Sequence, residues 1–316
     1  MRSVSDEMST IVRGKPEVIR QSLVALLSGG SVLLEDVPGV GKTTLAKGLA
    51  GLLGLRFGRI QCTPDLLPSD ILGTPVYRPD TGAFEFRPGP IFCNLLVADE
   101  INRASPRTQS ALLEAMQEGQ VTIDSRSYPL PPPFFVIATQ NPLGFEGTFP
   151  LPEAQLDRFL IRLSMDYPSA DDETQMLLDP SEMSDSAMEP AADLDTLASP
   201  TVDHDVARQR WLRFRRVVDS TFVSPEIAQF IVDIAVTTRR DVQVRIGVSP
   251  RGSKMLLAAA RSLATLDGRD HVRPDDVVAM TVPVLAHRLA LQSRGSTAEE
   301  AAAVVERCLQ QVTVPV

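Results

Sequence analysis

Residues 31–43 read SVLLEDVPGVGKT, an apolar run, a glycine-containing loop and a lysine–threonine pair. The run 31–35 suits a buried strand and residues 45–53 have the spacing of an apolar-faced helix, so the loop joins strand to helix. In that setting Gly39 and Gly41 let backbone N–H groups turn inward on an anion, and the helix start adds its positive end. Lys42 would reach the outer phosphates and the Thr43 hydroxyl would ligate Mg²⁺. The strict GxxxxGK[ST] pattern has glycine where this chain has Asp36, but the Gly-x-Gly-Lys-Thr half that makes the contacts is intact.

Outward from this loop, residues 56–62 (RFGRIQC), 93–99 (CNLLVAD), 134–141 (FFVIATQN) and 159–166 (FLIRLSMD) are further short apolar runs, with helical patterns at 45–53 and 108–118. Strands alternating with helices predict an α/β domain built on a parallel sheet. Segments 73–92 and 119–133 carry period-2 strands around turn residues and read as inserted hairpins, the kind of insert that works on a partner. Beyond about residue 167 amphipathic helices take over, at 205–219, 225–239, 250–266, 274–288 and 298–311. The expected domains are therefore an α/β nucleotide-binding core over 1–167, an acidic linker or start of the second domain over 168–204, and a helical domain over 205–316. Residues 170–205 contain eleven acidic residues and no lysine or arginine, which reads as a solvated linker. The helix after it bears Arg208, Arg210, Arg213, Arg215 and Arg216, expected to meet that acidic stretch or a neighbouring subunit.

A length of 316 residues predicts two domains, and 43% apolar with 22% charged residues is the composition of a folded protein. The net charge of −9 leaves no whole-chain basic excess for sequence-independent nucleic-acid binding, so no nucleic-acid partner is expected. Cys62, Cys93 and Cys308 have no paired spacing, which argues against a disulfide framework or a zinc site. No stretch approaches the roughly 18 apolar residues of a membrane span, and the first residues lack a signal-peptide pattern; the expected location is the cytoplasm.

Residues 94–100 (NLLVADE) are a buried strand ending in two carboxylates. Asp99 can hold Mg²⁺ through its shell and Glu100 can polarise an attacking water. In 138–142 (ATQNP), Asn141 ends the next strand, where it could orient that water. Arg158 stands in 151–159 (LPEAQLDRF) and Arg251 in 249–251 (SPR), at the first turn of a helix. Arginine is electrostatically unfavourable at a helix start and must find an anion elsewhere, a γ-phosphate being one candidate.

Taken in order, DVPGVGKT, LLVADEINRASPRTQSALLEAMQEGQV, ATQNP, LPEAQLDRF, GVSPR and VLAHR resemble the MoxR family of AAA+ ATPases, over most of the chain from Ile11 to Arg288. The resemblance implies an α/β AAA+ P-loop core with a five-stranded parallel sheet of order 5-1-4-3-2, a helix-2 insert at 73–92, a pre-sensor insert at 119–133 and an all-helical lid. It implies that Val37, Pro38, Gly39, Val40, Gly41, Lys42, Thr43, Thr44 and Asp99 surround ATP, with Thr43 and Asp99 on Mg²⁺. It makes Glu100 the Walker B base, Asn141 sensor 1, Arg158 the arginine finger and Arg251 sensor 2. Residues 11–15 (IVRGK) resemble the segment near the adenine, with ATP between core and lid. A self-associating ring, a hexamer, is implied, with Arg158 reaching the neighbour's ATP. Also implied are a von Willebrand factor A partner and a client protein matured by metal or cofactor insertion. Two other readings stay open here: a nucleic-acid motor using the hairpins, where Arg78, Arg87 and Arg126 are offset by Asp80, Glu85 and Asp124, and a nucleotide-gated scaffold with negligible turnover. Phe84, Phe86 and Phe145 could touch a client or pack within hairpin and loop.

Overall fold

The computed structural model describes residues 7–8, 12, 14–35, 41–141, 147–167, 169–178, 204–293 and 297–315. Along the first half run β1 (Val32–Glu35), β2 (Phe57–Gln61), the hairpin β3 (Gly73–Arg78) and β4 (Ala83–Pro88), β5 (Leu95–Asp99), the hairpin β6 (Gln120–Ile123) and β7 (Arg126–Pro129), β8 (Phe135–Gln140) and β9 (Ile161–Leu163). Strands β2, β5, β8, β1 and β9 lie side by side in that order, all parallel. With hairpin strands left out this is the expected order 5-1-4-3-2, read from the β9 edge. Every residue of β5 is buried, as a central strand covered on both faces must be, whereas β2 alternates because it forms an edge.

Side chains alternate across the sheet. Val32, Leu34, Val97 and Ile137 face one apolar layer, which continues into the helical half of the molecule; Leu33, Leu96, Val136 and Ala138 face the other. The core helices are α1 (Pro16–Ser28), α2 (Lys42–Leu53), α3 (Pro68–Leu72), α4 (Pro106–Glu118) and α5 (Glu153–Leu156). Helix α1 was not anticipated from the sequence. Proline in its first turn and a left-handed Gly29 after its end (φ 70°) bound it, with Gly29 and Gly30 N–H donating to Leu26 and Ala25 carbonyls at 2.9 and 3.0 Å. Both insert hairpins form. Asp124 and Ser125 (φ 49° and 63°) make the two-residue left-handed turn that matches strand twist between β6 and β7. Phe86 of β4 stacks on Tyr128 of β7 at 4.0 Å between ring centroids, tying one insert to the other, while Phe84 is 71% exposed. Phe145 lies outside the described residues.

The second half holds α6 (Ala170–Leu178), α7 (His204–Ser220), α8 (Pro225–Arg240), α9 (Pro250–Leu266), α10 (Pro274–Leu285) and α11 (Ala298–Gln310). Within this helical lid β10 (Val244–Ile246) pairs antiparallel with β11 (Ala290–Leu291), a short addition to the helices expected. Ser224, Ser249 and Thr297 each cap a helix by accepting a backbone N–H three residues on, and α6 occupies the start of the acidic stretch, whose residues 179–203 lie outside the described ones. On α7, Arg215 donates to the Leu27 carbonyl at 2.9 Å and pairs with Asp219, and Trp211 and Phe214 lie under Arg215 and Arg210.

Core and lid meet around the 3₁₀ turn Ala286–Arg288. His287 is buried there, its Nε2 3.1 Å from the Phe159 carbonyl and 2.6 Å from Arg288 Nη1. Burial, with the positive fields of Arg288 and Arg162, pushes its pKa well below the ordinary 6.5, so it stays neutral in the folded protein. An unfolded chain takes up this proton near pH 6.5 and the folded one does not. Stability is therefore undiminished above that pH and falls below it, by about 1.4 kcal/mol per pH unit for this group. Between pH 6.5 and about 5.5, the melting temperature of the native sequence is expected to fall more steeply than that of His287→Gln. Equal slopes would show that His287 is not the group responsible.

Candidate nucleotide site

The chain enters α2 through Gly41, whose φ of 89° is left-handed. Among the described residues nothing lies within 4 Å of where a Cβ would stand, so backbone conformation is what favours glycine there. No acidic residue occupies the first turn of α2, which leaves its positive end available to an anion. Val37, Pro38, Gly39 and Val40, expected around the phosphates, lie outside the described residues.

A cavity of about 370 Å³ opens at the carboxyl ends of the strands, where open α/β sheets bind ligands. Gly41, Lys42, Thr43 and Thr44 line it from the start of α2; Asp99, Glu100 and Asn141 line it from the ends of β5 and β8. Seven of the predicted residues thus share one cavity, joined by Arg59 and Gln61 of β2 and Thr139 of β8. The Thr43 hydroxyl and the Asp99 carboxylate are hard oxygen donors, the set that suits Mg²⁺.

Asp99 is buried; its Oδ2 accepts from Arg59 Nε at 2.7 Å and its Oδ1 from the Thr139 hydroxyl at 3.4 Å. Glu100 takes a left-handed conformation (φ 54°, ψ 51°) that a side chain seldom adopts, and its N–H donates to Thr139 Oγ1 at 2.9 Å. This kink turns the chain off the strand end. Glu100 Oε2 accepts from Arg103 Nη1 at 3.0 Å and from Gln61 Nε2 at 3.2 Å. Asn141 is buried, and its carbonyl accepts from Asn102 Nδ2 at 3.3 Å. Arg103 and Asn102 thus hold residues that line the cavity, while Ser105 caps α4. Below the acids, Cys62 is buried; burial and the nearby Asp99 and Glu100 charges push its thiol up to about 12, which makes it an inert neighbour.

Arg158 and Arg251 do not line this cavity. Arg158 follows α5, half-buried, and its guanidinium has no hydrogen-bond or ion-pair partner among the described residues. Arg251, at the start of α9, places Nε 3.8 Å from Oδ2 of Asp157, the residue before Arg158. The anion that a helix-start arginine needs is, within the chain, Asp157. Arg251 is thus tied to the residue before Arg158, and neither arginine shares this cavity with Lys42 and Asp99; a second cavity, lined by Lys15, Glu35 and Gln140 of the core and by Val282, Pro283 and Ala286 of the lid, lies between core and lid.

Arg59, Gln61, Thr139, Asp157 and Arg288 carry no role in the sequence reading. A signal existed for two of them: Arg59 and Gln61 alternate on β2 and so share a face. Only the pairing of Gln61 with Asp99 in register shows which acids that face meets.

Residues 31–161 match the ATPase family associated with various cellular activities (AAA), and residues 236–308 match the AAA lid domain. The chaperone MoxR1 of Mycobacterium tuberculosis is 41% identical over 320 residues, covering 98% of this chain and 81% of that protein. The uncharacterized protein YeaC of Bacillus subtilis is 46% identical over 312 residues, 98% of this chain and 93% of its own. A crystal structure of a proposed ATPase from Cytophaga hutchinsonii superposes with a TM-score of 0.84 at 34% identity, covering all of this chain and 94% of the other. With the phosphate loop, the strand-end acids and the lid in one chain, and relatives of this closeness over nearly its full length, the protein belongs to the MoxR family of AAA+ ATPases.

Proposed function

We propose that this ATPase works as a ring of identical subunits, six in number, in which each nucleotide is hydrolysed between two chains and the energy remodels a client protein. The observation that carries this reading is the separation of the site into two groups. One cavity gathers the phosphate, metal and water-activating residues, while Arg158 and Arg251 stand together outside it. A head-to-tail contact repeated by rotation brings the second group of one subunit to the cavity of the next and closes into a ring.

When bound, Mg²⁺-ATP supplies a γ-phosphoryl group for transfer to water, and the chain supplies positioning and charge. Lys42 and the α2 start would bind the phosphates, and Thr43 and Asp99 would hold the cation. Arg103 and Gln61 hold Glu100 Oε2, which leaves Oε1 to take the proton of the attacking water. Asn141 orients that water, and the neighbour's Arg158 and Arg251 stabilise the charge that develops on the phosphoryl oxygens.

The chaperone name of MoxR1 supports the client reading. A separate von Willebrand factor A protein that selects the client, maturation of that client by metal or cofactor insertion, and action in the cytoplasm complete the proposal. Among the described residues no helix is long and apolar enough to cross a membrane. Light scattering with the Glu100→Gln variant held in Mg²⁺-ATP tests the assembly: the expected mass is six times the 34.4 kDa chain. A monomer at saturating nucleotide would contradict it.

A further inference from the structure

The motif VLAHR ends in Arg288, a lid residue to which the mechanism above gives no part. Its side chain is 2% exposed and lies directly beneath the segment that carries Arg158. Nη2 donates to the Phe159 carbonyl at 2.5 Å and to the Asp157 carbonyl at 3.3 Å; Nη1 donates to the Leu160 carbonyl at 3.2 Å and to that of Val284. Nε makes an ion pair with Asp157 Oδ1 at 3.0 Å. One guanidinium thus grips the backbone on both sides of Arg158 and the side chain before it. The other oxygen of Asp157 faces Arg251 Nε at 3.8 Å, so one carboxylate is divided between two lid arginines.

The fold makes room for this arrangement. Gly252 follows Arg251 on α9, and a Cβ there would stand 2.8 Å from Val248 Cγ1 and 3.2 Å from Arg288 Cδ. A larger residue would push the Arg288 stem away from the turn it holds. Burial lowers the Arg288 pKa to about 10, which still leaves the group charged at neutral pH, and the Asp157 charge opposes that lowering. The two contacts of Asp157 differ in kind. That with Arg288 is closed off from solvent, whereas Arg251 is 43% exposed and at long range. An exposed ion pair of this length adds little to stability and leaves Arg251 able to turn toward a stronger anion.

We propose that Arg288, acting through Asp157 and the backbone of residues 157–160, is a positioning residue that fixes Arg158 and Arg251 as one unit offered to the nucleotide of a neighbouring subunit. Loss of either partner of the Arg288–Asp157 pair then disables the neighbour's site while leaving the subunit's own cavity intact. This inference rests on the reading of Arg158 and Arg251 as acting across a subunit boundary.

Subunit mixing tests it. Asp157→Asn and Arg288→Lys are prepared with Arg158→Ala as reference, and each is assayed alone and after mixing with Glu100→Gln subunits, which lack the base but keep every arginine. Lysine keeps the charge at 288 but not the planar fork that reaches carbonyls on both sides. Alone, both variants are expected to lose on the order of 10²-fold in kcat, the cost of misplacing a catalytic group by about an ångström. Their affinity for a fluorescent ATP analogue, a property of their own cavity, should stay unchanged. Mixed, they should regain turnover, because their intact cavities then receive arginines from Glu100→Gln neighbours. If Arg158→Ala regains activity and the two variants do not, their defect lies in their own site or fold and the inference is overturned. If Arg158→Ala is not rescued, the cross-subunit reading itself fails and takes the inference with it. Wild-type turnover by either variant alone would also overturn it.

Discussion

Replacing Arg158 by alanine is expected to lower the turnover number for ATP by about 10³- to 10⁵-fold, the loss seen when an arginine finger supplied by another chain is withdrawn. The size of the effect follows from where the charge is needed. Arg158 has no hydrogen-bond or ion-pair partner among the described residues, so its guanidinium is uncommitted, and the candidate nucleotide cavity does not include it. On the proposed ring its contribution is made only as charge develops in the transition state of a neighbour's site, so its removal should leave ground-state binding in place. Steady-state hydrolysis at saturating ATP, beside titration of a fluorescent ATP analogue, separates the two quantities. A loss confined to affinity would place Arg158 on the nucleotide of its own subunit.

Glu100→Gln is expected to reduce turnover by about 10²- to 10⁴-fold, the usual contribution of a positioned general base. Glutamine has the shape of glutamate but cannot take the proton of the attacking water. It can still accept from Gln61 and Arg103, and what is lost with Arg103 is a half-exposed ion pair of small worth. The strained backbone at Glu100 is kept by the Thr139 hydroxyl, which the substitution does not touch. The variant should therefore fold, bind ATP and hold it, which single-turnover and binding measurements report separately. Turnover near that of the native protein would assign the base to another residue.

Most of the core was legible because its signals are local. A strand feeding DVPGVGKT and a strand ending in Asp99 and Glu100 each carry their chemistry within a few residues, and the alternation of apolar runs with helices fixes a parallel sheet. The hairpin inserts were visible for the same reason. Contacts made across the sheet were not: Arg59 and Asp99 are forty positions apart and meet only through the register of β2 on β5. Asp157 looked like an ordinary acid beside a finger arginine, and its division between Arg251 and Arg288 depends on how the lid seats on the core. Helix α1 carries no motif that singles it out, although Glu17, Arg20 and Gln21 recur at helical spacing apart from the buried Val18, Ile19 and Leu23, and Pro16 and Gly29 mark its ends.

On the proposed ring, a nucleotide site assembled within one chain still depends on its neighbour. Lys42, Thr43, Asp99, Glu100 and Asn141 line one cavity, and Asp157 pairs with both Arg288 and Arg251 outside it. The most direct test is the rate of ATP hydrolysis per chain in Mg²⁺, measured as protein concentration is raised and followed in parallel by light scattering. The account predicts a rate per chain that climbs as subunits associate and then levels off. A substantial rate that stays constant per chain down to concentrations where only monomer is present would contradict it.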